Sequence, residues 1–132
     1  MSIQGDIEAA IVAHLETEIV GAGNAITGSL TQPKVEGSAR YAAVRRTTGA
    51  GARLEHGQVE WSETFAVTVW WSRSVTRATA IEEWEDFAEA ILADQYLTTE
   101  VTDAWVAATA WGDAADSPFL VMSAAIQTQR VE

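Results

Sequence analysis

Between Thr64 and Val75 the chain reads TFAVTVWWSRSV, and no other stretch narrows the fold as much. Successive side chains of a strand point to opposite faces. Phe65, Val67, Val69 and Trp71 therefore form one uninterrupted apolar row. Thr64, Ala66, Thr68, Trp70 and Ser72 form the other, small and polar except for Trp70. A strand with one apolar face asks for a sheet whose helices pack on that side. Trp70 then needs a cover of its own. A helix on the second face, solvent, or another subunit could each meet it.

Two segments have the periodicity of the covering helices. Ile3, Ile7, Ile11, Leu15 and Ile19 recur every fourth residue, and Gly21 and Gly23 follow as a stop. His14 lies at the edge of that stripe, where a boundary histidine with a local hydrogen bond is expected rather than a metal ligand. Further on, Thr79-Ala80-Ile81-Glu82 has the form of a capping box. The helix it opens, to about Tyr96, places Ile81, Trp84, Ala88, Ile91 and Leu92 on one side with Phe87 beside them. Glu82, Glu83, Glu85, Asp86, Glu89 and Asp94 take the opposite side with no lysine among them.

The remaining segments read as strands and turns. Residues 24–38 suggest a weak strand and a loop, and Ala39 to Arg46 a short strand. TTGAGARLEHG, residues 47–57, lacks periodicity and reads as a flexible hairpin loop carrying Arg53 and His56. Gln58 to Arg73 is one long strand, or two split by a bulge near Ser62 and Glu63. Ala104 to Gly112 and Phe119 to Arg130 close the chain as a hairpin around the turn GDAADSP. Trp71, Trp84 and Trp105 are expected in the core. The expected fold class is α+β: a mixed, mainly antiparallel sheet of about four to five strands with two amphipathic helices packed on it. Residues 1–132 fit a single domain, since no linker, repeat or low-complexity tract divides them.

Charge is unevenly spread. Residues 1–33 hold four acids and no Lys or Arg, for a net −4. Residues 34–77 hold seven of the eight basic residues against four acids, for +3. Residues 78–132 hold eleven acids against Arg130, for −10. A basic middle beside an acidic last third allows one copy to meet the next head to tail, although a solvated surface explains the same pattern. A net charge of −11 argues against autonomous DNA binding. No apolar run nears the roughly 20 residues of a membrane span. MSIQGDIEAAIV has acids where a signal peptide has bases. The chain has no cysteine, which fits a reducing compartment such as the cytosol.

Signs of catalysis are missing. The serines lie in no GxSxG elbow, neither histidine has a partner set by spacing, and no HExxH pattern is present. Gly49, Gly51 and Gly57 match neither GxGxxG nor a P-loop. No catalytic residue, cofactor or metal is assigned.

The strand FAVTVWWSR, the helix with Trp84, Ile91 and Leu92, and the closing hairpin resemble the small tail-terminator and tail-completion proteins of long-tailed phages. The amphipathic first helix, ARYAAVRRTTG and a length near 130 agree, whereas the proline often found before the central strand is replaced by Arg40 ahead of Tyr41. The resemblance implies a structural virion protein in the tail or neck, made in the host cytoplasm. It implies a homohexameric ring that caps the tail tube, ends its polymerisation and meets the head's connector or stopper. Genomic DNA would pass through the lumen without specific binding. The ring contact expected here sets Arg45, Arg46 and Arg53 against Glu82, Glu85 and Glu89 of the next subunit, with Trp70 as an apolar anchor. The acidic face could instead line the lumen. The alternatives are a head-closure or stopper protein, a small α+β ligand-binding domain with Trp-lined pockets, and an enzyme with a carboxylate site.

Overall fold

A computed structural model describes residues 3–21, 24–27, 39–94, 101–112 and 118–131. Most of the expected loop and turn residues, 28–38 and 113–117, and the expected helix end at residues 95–96, lie outside the described residues. In chain order the elements are α1 (Ile3–Leu15) with a π turn (Glu16–Val20), β1 (Ala25–Thr27), β2 (Arg40–Arg53), β3 (Val59–Ser72), α2 (Arg77–Ala93), β4 (Val101–Gly112) and β5 (Phe119–Val131). One five-stranded sheet has the order β1-β2-β3-β5-β4. The β1–β2 pair is parallel and the other three pairs are antiparallel. The fold is the expected α+β sheet with two helices.

Residues opposite one another across these ladders share a face, so the register lays out the core in rows. Ala42, Val69, Met122 and Trp111 form one row; Val44, Val67, Ala124 and Thr109 the next; Arg46, Phe65, Ile126 and Val106 a third. The quoted row Phe65, Val67, Val69 and Trp71 is fully buried, as are Ile7, Ile11 and Leu15 of α1 and Phe87 and Ile91 of α2. Each such side chain contributes about 1.5–3 kcal/mol of burial. Trp71 also stacks on Trp111, their ring centroids 5.5 Å apart.

The four-residue repeat of the first helix ends in a π turn. An α-helix advances about 100° per residue, so each four-residue step overshoots by about 40°. Gly21 N–H bonds to Glu16 O, five residues back, at 3.1 Å. This wider turn offsets the drift and keeps Ile19 and Val20 buried.

Several expectations are corrected. α2 begins three residues before the expected capping box. Its N-cap is Thr76, whose Oγ1 accepts from Thr79 N–H at 3.2 Å and donates to Thr79 Oγ1 at 2.9 Å. The buried stripe is Ala80, Trp84, Phe87 and Ile91, and Leu92 is 57% exposed. His14 bonds not locally but to Asp94 of α2, at 2.8 Å, joining the two helices. β4 has register shifts after Val101 and Val106. The second shift changes which face its residues take. Trp111 therefore packs on the core, while Trp105, paired with Gln127 on the other face, is only half-buried and outside the core.

Trp70 is corrected as well. It is 5% exposed within its own chain, so it is not a subunit anchor. Its cover comes from neighbouring strands: Tyr41 and Val121 are its register partners, and Ala43 and Phe119 complete a small second core on the outer face.

Candidate subunit interface

The stretch read as a flexible loop is mostly ladder. Gly49 pairs with Glu63, Gly51 with Trp61 and Arg53 with Val59, so β2 and β3 extend together as a long hairpin. The reversal is confined to Leu54–Gln58, where Leu54 N–H bonds to Gln58 O at 2.7 Å. His56 and Gly57 both take positive φ there, 64° and 79°. Glycine adopts that conformation without cost, whereas His56 holds it as a non-glycine residue.

The base of the hairpin is built around a buried carboxylate. The Glu63 side chain is fully buried and accepts from Arg46 Nε at 2.8 Å and from Arg130 Nε at 2.9 Å. One acid thereby ties β2, β3 and β5 together. Arg46 backbone N–H also donates to Glu8 of α1 at 3.1 Å. The Arg130 guanidinium lies 5.4 Å from the centre of the Trp61 ring, within reach of a cation–π contact. The two glycines that matched no phosphate motif have a steric role. A Cβ at Gly49 would overlap the Arg46 guanidinium, and one at Gly51 would come within 3.1 Å of the Trp61 ring. Thr128, opposite Glu63, keeps a buried hydroxyl with no hydrogen-bond partner.

A second acid is withdrawn from the α2 surface. Glu83 takes two hydrogen bonds from Arg40, 2.7 Å from Nε and 2.8 Å from Nη2, and a third from Trp71 Nε1 at 2.9 Å. The hydrogen bond to Glu83 raises the Arg40 pKa above its ordinary value, against the smaller opposing effect of burial. Arg40 is a cation at every pH at which the protein is handled.

The residues proposed from sequence for a subunit contact therefore separate. Arg46 is committed to Glu63 and Trp70 to the second core. Arg45 and Arg53 on β2 are exposed, as are Glu82, Glu85 and Glu89 on α2, and none of the five has an ion pair among the described residues. Glu82, Glu85, Glu89 and the exposed Leu92 follow at steps of three and four, which aligns them along one face of the helix. Leu54, next to Arg53, is 37% exposed. Sequence reading missed both leucines, since Leu92 sits close to the apolar stripe and Leu54 lies in an aperiodic segment.

Among the described residues, no three His, Asp or Glu side chains converge as they would around a metal ion, and no helix is long and apolar enough to cross a membrane. No protein-family model matches the chain, and no curated protein matches it. Among solved structures, the fold is similar to that of a chain in the virion of a native gene transfer agent particle. The TM-score is 0.72 at 12% identity, covering 99% of this chain and 98% of that one.

Proposed function

We propose that this chain is a structural virion protein of phage type, a tail terminator whose copies close into a hexameric ring. The ring caps the finished tail tube, ends its growth and presents a surface to the head connector. Its work is binding without turnover. The observation that carries this reading is the end-to-end fold similarity to a chain of a virion particle, which leaves almost no residue of either chain unmatched.

The surface chemistry supports assembly by unlike patches. A ring needs a heterologous contact, one patch meeting a different patch on the next copy. Exposed Arg45 and Arg53 lie on β2, while exposed Glu82, Glu85 and Glu89 lie on α2. The net charge of −11 suits a channel through which DNA passes without adhering.

The test combines the purified protein with a polymerising major tail-tube protein. Six-fold rings in native mass spectrometry or on negative-stain grids, together with tubes of arrested length, are expected. A protein that stays monomeric both alone and at tube ends, and leaves tube growth unchanged, would overturn the reading.

A further inference from the structure

Two exposed leucines sit beside opposite charges on different elements. Leu54 adjoins Arg53 at the tip of the β2–β3 hairpin, and Leu92 extends the acidic line Glu85–Glu89 on α2. We infer that the hairpin tip of one copy docks on the α2 surface of the next, Leu54 against Leu92 and Arg53 against Glu85 and Glu89. This rests on the proposed head-to-tail assembly and names its contact.

Three observations favour a second copy as the occupant. The two patches complement each other in charge, and both belong to this chain. Each pairs an apolar group with ionic neighbours, the composition of a contact with a small desolvated centre and a charged rim. The tip is also pre-organised, because the Arg46–Glu63–Arg130 cluster fixes the hairpin base and the only turn is five residues long. A segment ordered before it binds loses less entropy on docking.

The lack of cysteine permits a direct test. A Leu54→Cys, Leu92→Cys double variant has just two thiols, both at exposed sites, and circular dichroism checks that it folds. Under a mild chemical oxidant, which takes up the two thiol hydrogens as each disulfide forms, the double variant should give a ladder of covalent trimers and larger species. Each single variant can at most give dimers. Adding Arg53→Glu should lower the ladder yield about tenfold, the effect of roughly 1.4 kcal/mol, and adding Glu85→Arg with Glu89→Arg should restore it.

A double variant that yields nothing above dimer, or a ladder indifferent to Arg53→Glu, overturns the inference. Wild-type rings seen by native mass spectrometry without any cross-link would overturn this contact and leave the terminator reading standing. A charge-dependent ladder that never closes would support the contact and count against the ring.

Discussion

The two halves of β3 are held by different physics. From Phe65 to Trp71 the core face is apolar, closed by α1 and α2, and fully buried. From Trp61 to Glu63 the same face has a carboxylate, two guanidiniums, an indole and two glycines. The first half gains stability from area removed from water and tolerates approximate shapes. The second recovers the desolvation of its charges only if every partner stays in place, so it gains geometry more than stability.

The comparison can be broken from either side. The largest loss is expected from Trp71→Ala, about 4–5 kcal/mol in urea unfolding, because it opens a cavity and leaves Glu83 short of one donor. Glu63→Gln should cost about 3 kcal/mol, since two guanidiniums lose their counter-charge and Arg46, a third exposed, retains some water. Replacing Glu63, Arg46 and Arg130 together with apolar residues of similar volume should recover most of that loss. If the triple variant is as unstable as Glu63→Gln, the cluster contributes net stability and the contrast between the halves fails. Gly49→Ala should cost about 1–3 kcal/mol by driving Arg46 off Glu63, and should cost little further in a chain that already has Arg46→Ala. Thr128→Val should be the mildest, a gain of about 1 kcal/mol, because it removes an unpaired buried hydroxyl.

The apolar half was legible in sequence because a row at alternate positions has a single reading. The helices were legible for the same reason, including Ile7, Ile11 and Leu15 at their four-residue spacing. The charged half was not, since nothing in the order of residues says that Glu63 and Arg130, 67 positions apart, meet on one face. In sequence Gly49 and Gly51 read as loop glycines, because their partners, Arg46 and Trp61, become visible only once β2 and β3 are in register. The place of Trp70 is hidden in sequence for a related reason. Taken along its own strand its face looks bare, while the side chains that cover it come from β2 and β5. Trp105 shows the complementary error, in which a strand's parity was carried through a bulge that reverses it. Exposed acids were simpler to identify, and Glu82, Glu85 and Glu89 are on the surface as expected, although Glu83 beside them is drawn inward by Arg40 and Trp71.

The strand order carries a kinetic consequence. Among the described strands β5 comes last in the chain, yet it lies between β3 and β4. Until residues 119–131 are available, the centre of the sheet is vacant, and β3 and β4 each present an open ladder. The β2–β3 hairpin can zip early from local contacts, whereas the ladder from β3 to β5 joins residues such as Phe65 and Ile126 across half the chain. Synthesis thus exposes two unpaired strand edges that only the arrival of β5 hides, and this interval is when the protein is most open to aggregation.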